Sequence, residues 1–199
     1  MDTEGPVCIT DLSCMSCGHC VAVCPTGALD NSRCPKAEMD PLTRPMLDPD
    51  TALDFLRHRR SIRNFRDELV PEEKIRQLLE AARFAPTAAN SQGMYYLVIQ
   101  DRDLIKKSTD SVADWMQEQI DNKSPQKRYF IKVLHVYRER GIDIIGRNAR
   151  QLIFGLARRL NVTGPSNSEQ SLAYAELYAP TLGLGTTIMG FIETCLRAE

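Results

Sequence analysis

Four thiols stand close together at Cys14, Cys17, Cys20 and Cys24, spaced C-x2-C-x2-C-x3-C and followed by Pro25. The chain has seven cysteines, and after Cys34 the next is Cys195. Thiolates at intervals of three on a tight loop can wrap one corner of an iron–sulfur cube, and a trailing Cys-Pro adds a further ligand and a forced turn. A zinc site also uses C-x2-C pairs, but as two pairs divided by a long spacer, which the third cysteine and the x3-C-P end fit poorly. His19 falls between ligands and reads as a surface or supporting group. In a reducing compartment such a cluster points to metal ligation or redox chemistry and not to disulfide stapling.

A second reactive pattern lies in "RHRRSIRNF", where Arg59, Ser61 and Arg63 alternate. On an extended segment, alternation sets all three side chains on one side. Two fixed guanidinium groups and a hydroxyl there suit a terminal phosphate and the polyol attached to it. The competing readings are a solvated basic helix end and a nucleic-acid patch. The latter lacks an aromatic stacking platform or a broad basic stripe.

These groups need elements to hold them. With 199 residues and 43% hydrophobic composition, the chain can build one sizeable core and a small appendage. A net charge of -1 argues against a nucleic-acid or anionic-membrane partner. Residues 1–38 are poor in large apolar side chains and rich in Cys, Gly and Pro, so they depend on what their thiolates bind. Residues 39–50 carry several prolines and read as a linker arm, and residues 51–199 form the main body. Within it, "VPEEKIRQLLEAARFAP" predicts a helix with Ile75, Leu78, Leu79 and Ala82 on one face, ending before Pro86. "MYYLVIQD" reads as a buried strand and Asp103 to Ile120 as an amphipathic helix containing Trp115. Residues 122–141 read as a helical excursion, "QLIFGLA" as a second strand and Ser168 to Leu182 as a helix. Few strands among many helices predict an α+β fold. Leu177 to Ile192 is too short and too interrupted to span a membrane. The acidic start lacks the features of a secretory signal, so a cytoplasmic protein is expected. His58 and His135 read as surface residues, Cys195 as a small buried hydrophobe, and Trp115 and Tyr95 as packing residues.

"CGHCVAVCPTGAL" resembles the second cluster motif of the bacterial-type ferredoxins. In two-cluster members the fourth cysteine of a motif serves the other cluster. Only six cysteines precede residue 35, which supports at most one fully thiolate-ligated four-iron cluster. Cys14, Cys17 and Cys20 are the firm ligands; the fourth is left among Cys24, Cys8 and Cys34, with Cys24 the first candidate. Over residues 50–195, "RRSIRNF", "APTAANSQGMYYLVIQD" and "LYAPTLGLGTTIMGF" are similar in order and spacing to the FMN-dependent nitroreductase family. The resemblance implies a mixed sheet flanked by helices, C-terminally incomplete at residue 199, with a small ferredoxin-like domain in front. It implies that Arg59, Ser61 and Arg63 hold the FMN phosphate and ribityl chain. It further implies that Pro86, Thr87, Ala88 and Asn90 approach the flavin, the first three reaching the one bound mainly by a second subunit. The backbone of Ile188, Met189 and Gly190 would pass the flavin N5 edge. One departure is Arg150, which stands where family members often carry proline.

The expected function is that of an FMN-dependent oxidoreductase whose flavin exchanges electrons with an N-terminal 4Fe-4S cluster. It would reduce small organic acceptors such as nitroaromatics or quinones, draw on NAD(P)H or a redox protein, and act as a homodimer. No side chain is indicated as a general acid. The alternative is a non-catalytic iron–sulfur carrier or redox sensor with a flavin domain that no longer binds FMN.

Overall fold

The computed structural model describes residues 14–40 and 43–198. The elements run α1 His19–Ala22, α2 Pro49–His58, α3 Glu72–Arg83, β1 Met94–Ile99, α4 Arg102–Asp121, α5 Lys127–Leu134, β2 Leu152–Ala157, α6 Gly164–Tyr178 and α7 Gly190–Ala198. The α+β class holds. Among the described residues the sheet is one antiparallel pair, β1 against β2, with Met94 opposite Ala157 and Ile99 opposite Leu152. A parallel contact elsewhere joins Ser61 to Thr186.

Local chemistry explains the boundaries. Asp48 caps α2 by accepting from the backbone N–H groups of Asp50 and Thr51, and Asp101 caps α4 through Leu104 N–H; each satisfies donors that the first helical turn leaves orphaned. Glu72 and Glu73 open α3, whose buried face is Ile75, Leu78 and Ala82, and the helix closes at Phe84, ahead of Pro86. The excursion at 122–141 is α5 followed by a wider π turn, His135–Glu139.

Two apolar clusters fill the body. The larger joins α4, α5, β2 and α7 around Val112, Met116, Phe130, Ile145 and Ile192, with Cys195 buried as expected. Trp115 packs edge-on against Phe130 at 5.4 Å. The smaller sets Ile75 and Leu78 of α3 against Ala179. Tyr137 threads the first cluster, and its hydroxyl meets Thr109 Oγ1 and Asp110 Oδ1, each at 2.8 Å. Burial is the chief cause holding that phenol above its usual titration range.

Two expectations need revision, and one departure finds its explanation. β1 alternates instead of being buried throughout: Tyr95 and Leu97 are exposed, because among the described residues nothing covers that face, so Tyr95 is not a packing residue. The final long helix begins earlier, at Gly164, and its last turn tightens to a 3-10 helix at Ala179–Leu182. Arg150 adopts a role of its own: its guanidinium pairs with Asp67 at 2.6 Å, across 83 residues of sequence. Beside it Gln151 Oε1 accepts from Val70 N–H at 2.8 Å and its Nε2 donates to Val70 O at 3.2 Å. These contacts fasten the segment before α3 to the start of β2. Gln151→Leu, leaving two half-buried backbone groups without that partner, is expected to cost about 1–3 kcal/mol, read as a lower urea midpoint with unchanged slope.

Candidate functional site

The segment from Arg59 to Arg63 leaves α2 in extended conformation, since Arg59 has φ -61° and ψ 129°. Ile62 N–H donates to Thr186 O at 2.8 Å, which with the Ser61–Thr186 bridge lays two segments more than a hundred residues apart side by side. Thr186 is held in turn by its hydroxyl, 3.3 Å from Glu176 Oε1 on α6. A cleft of about 450 Å³ opens next to this junction, lined by Arg63, Ile188, Met189 and Gly190. Of the ten residues predicted to hold a flavin, these four share one cavity. Arg59 and Ser61 lie on the same segment but do not line it.

The cleft contains groups that the motifs did not single out. Arg147 supplies a second cation, and Tyr129 and Phe191 supply an aromatic wall, their rings 5.8 Å apart. Arg147 owes its place to a turn that Asp143 builds: Asp143 Oδ1 accepts from Ile145 and Gly146 N–H, and Oδ2 from Asn148 N–H. This turn carries Arg147 and Asn148 in left-handed conformations, φ 57° and 53°. The D-x2-G spacing of Asp143 and Gly146 was the available signal, an aspartate capping its own turn. Among the described residues neither Arg63 nor Arg147 is ion-paired with a carboxylate. Helix α7 begins at Gly190 on the cleft wall, and the N–H groups of a first helical turn have no partner within their helix. A cleft with two unpaired guanidinium groups, backbone donors and aromatic faces fits a phosphorylated aromatic cofactor.

The loop Pro86–Ser91 is not part of this cleft. Its Ala88 N–H donates to Asn167 Oδ1 on α6 at 3.2 Å, and its Asn90 turns toward the cysteine segment, with Nδ2 3.1 Å from Met15 O and 3.0 Å from Ser16 O. A second, apolar cavity of about 610 Å³ between Phe55, Phe84, Tyr174 and Tyr178 contains none of the predicted residues.

In the cysteine segment Cys14, Cys24 and Cys34 are half-buried, whereas Cys17 and Cys20 are exposed. Among the described residues no three His, Cys, Asp or Glu side chains are grouped as a metal-holding set. The donor chemistry nonetheless suits thiolates. A backbone hydrogen bond from Ser16, then the Asn31 amide, lowers the Cys14 thiol below its usual value. The Thr26 hydroxyl, then the backbone at Leu29, brings Cys24 down to about 7. Hydrogen bonds to sulfur favour the deprotonated form that ligates iron. For the fourth ligand, Cys24 Sγ sits 3.6 Å from Thr26 Oγ1. Cys34 Sγ lies against Gly18, where an added Cβ would come within 2.7 Å of it. Cys8 lies outside the described residues. His19, at the start of α1, is exposed, as are His58 and His135, which bond within their own helices.

The family model described as the nitroreductase family matches residues 56–196. The chain belongs to the nitroreductase family. A 4Fe-4S binding domain matches residues 7–30, ahead of the nitroreductase region and across the four-cysteine motif. A relative described as FMN reductase [NAD(P)H], from Bacillus subtilis strain 168, is 26% identical over 134 residues, covering 67% of this chain and 51% of its own. The matched segments span 34%, 29% and 51% of the lengths of three curated relatives. Among solved structures, a nitroreductase with bound FMN from Desulfitobacterium hafniense DCB-2 superposes with a TM-score of 0.58 at 18% identity, over 77% of this chain and 76% of that one. A BluB-like flavoprotein from Clostridium difficile 630 gives 0.57 at 21% identity, over 74% and 81%. These two bear out the nitroreductase-like fold, and the two family matches bear out the reading of an iron–sulfur segment joined to a nitroreductase body. No helix among the described residues is long and apolar enough to cross a membrane.

Proposed function

We propose that the chain is an FMN oxidoreductase of the nitroreductase type, in which an N-terminal 4Fe-4S cluster and the flavin exchange electrons and small organic acceptors such as nitroaromatics or quinones are reduced. The observation that carries this reading is the Ser61–Thr186 junction, which gathers Arg63 and the Ile188–Gly190 backbone into one cleft with Arg147. FMN supplies the capacity to take up a hydride or single electrons, and the cluster passes single electrons only. Around them the chain's residues bind and orient. Arg63 and Arg147 would neutralise the phosphate, Tyr129 and Phe191 would face a flat ring, and the N–H groups at the start of α7 would stabilise negative charge. Cys14, Cys17 and Cys20 would hold iron with a fourth thiolate from Cys24, Cys34 or Cys8.

Three further assignments belong to this reading. The ferredoxin-like domain is residues 1–38, the linker 39–50 and the flavin body 51–199. The active form is a homodimer: Pro86, Thr87 and Ala88 lie away from their own chain's cleft, as expected if they serve the flavin held by a second copy. The reductant is NAD(P)H or a redox protein, and the protein works in the cytoplasm.

The test is anaerobic purification with cofactor analysis and turnover on a nitroaromatic. The expected result is one FMN and roughly four irons per chain, with the acceptor reduced on addition of NAD(P)H or a reduced ferredoxin. Protein that reconstitutes with neither group would end the reading, and iron without flavin would favour the carrier alternative. Asp143 gives a subtler check. Asp143→Ala removes the three bonds that shape the Arg147 turn, so FMN should bind about tenfold more weakly, alongside a stability loss of about 1–3 kcal/mol read separately as a lower urea midpoint of the apo protein.

A further inference from the structure

Asn90 was expected near a flavin, yet its side chain is committed elsewhere. One amide nitrogen has two hydrogens, and both have acceptors: Met15 O at 3.1 Å and Ser16 O at 3.0 Å. Its Oδ1 accepts from Gln92 Nε2 at 3.2 Å. Met15 and Ser16 are the two residues between Cys14 and Cys17, so this one amide grips the backbone spanning the first two thiols of the cluster motif.

The backbone on both sides of the grip is unusual. Ala89, Asn90 and Gln92 have φ of 50°, 52° and 45°, and Ser16 has φ 54°. Residues with a Cβ enter this left-handed region at a cost, asparagine least among them. Such strain persists only where surrounding contacts over-determine it. Here the contacts form a chain: Thr163 O accepts from Asn167 N–H, the buried Asn167 accepts from Ala88 N–H, Thr87 Oγ1 accepts from Gln92 N–H, and Asn90 reaches the cysteine loop. Asn167 belongs to α6, the helix that also holds the cleft segment through Glu176 and Thr186. From Asn167 to Glu176 is about 14 Å along the helix axis. One rigid helix thus anchors the cysteine loop toward one end and the candidate flavin cleft toward the other.

The geometry points to Asn90 as a positioning residue that docks the iron–sulfur loop in one fixed place on the nitroreductase body, so that cluster and flavin exchange electrons from a set separation and not through a diffusing appendage. The assignment rests on the relay reading above. It predicts a rigid internal interface where sequence alone suggests a small domain on a proline-rich arm.

Two variants test it in the cofactor-loaded full chain. Asn90→Asp keeps the shape and the tolerance for left-handed backbone but sets a carboxylate against two carbonyls. Asn90→Gly keeps the backbone freedom and removes the amide. Hydrogen–deuterium exchange is followed on the peptide covering residues 14–20, with β1 as the internal control. Electron equilibration is followed by pulse radiolysis: one electron leaves the reduced cluster as one enters FMN, with rates taken on molecules holding both groups. In both variants exchange over 14–20 should rise, and equilibration should slow, by about tenfold or more, with β1 unchanged. Exchange equal to that of the unaltered protein would overturn the docking role. Faster exchange with an unaltered transfer rate would reduce Asn90 to a structural contact and overturn its role in positioning. Absence of cluster-to-flavin transfer in the unaltered protein would instead overturn the relay reading, a result that exchange data do not imitate.

Discussion

Arg63→Glu is expected to leave the protein folded and without flavin. Arg63 lies on the cleft wall, is exposed, and has no ion-pair partner among the described residues. Its removal therefore breaks no ion pair among the described residues. A guanidinium–phosphate contact is charge-assisted and bidentate in favourable cases. Arg63→Ala should weaken FMN about 10- to 100-fold, and reversal to glutamate, which adds repulsion, by more than about 100-fold. Titration of apo protein with FMN, followed by quenching of flavin fluorescence, reads both, and the deficit should shrink as salt screens the wild-type contact. Wild-type affinity in Arg63→Glu would place the phosphate elsewhere.

Gly185→Val should remove the flavin by a different route. A Cβ at Gly185 would lie 2.9 Å from Ile62 Cβ and Cγ1 and 3.0 Å from Cγ2. Ile62 is β-branched and has little freedom to swing aside, so the contact is relieved only by parting the two segments. Parting them breaks the Ile62–Thr186 hydrogen bond of 2.8 Å and carries Arg63 away from Ile188–Gly190. The larger valine should abolish FMN retention, whereas Gly185→Ala should lower affinity by about tenfold, consistent with an overpacking cost of about 1–3 kcal/mol. Neither core cluster includes Ile62 or Gly185, and at about 2–4 °C per kcal/mol the melting temperature of the apo protein should fall by about 2–12 °C without loss of the fold. Full flavin content in Gly185→Val would show that the two segments need not touch.

Much of the site could be read from the linear chain where a few adjacent residues encode one task. The cysteine spacing names its chemistry because a short loop has few ways to present several thiols. The Arg59–Ser61–Arg63 alternation is equally local, though of the three only Arg63 lines the cleft, and α3 was legible because Ile75, Leu78 and Ala82 recur at helical period. What escaped has a common cause. Arg147 looks like one arginine among many until Asp143 folds the turn that aims it. Tyr95 sits in an apolar run whose burial depends on whether another layer covers that face. Arg150, a departure from the family pattern, became intelligible only once Asp67 stood beside it.

The division follows from the range of the interactions. By itself the sequence determined the chemistry on offer: closely spaced thiols, a basic segment with alternating arginines, a small-residue backbone stretch, and a helical body with two strands. Local spacing and propensity act within one or two turns of chain, and each of these features lies within that reach. Tertiary structure alone decided which of them meet. Arg63 shares a cleft with Gly190, and Asn90 grips Met15 and Ser16, because packing across α6 closes long loops and brings distant segments into contact. Such pairings depend on the whole core forming at once.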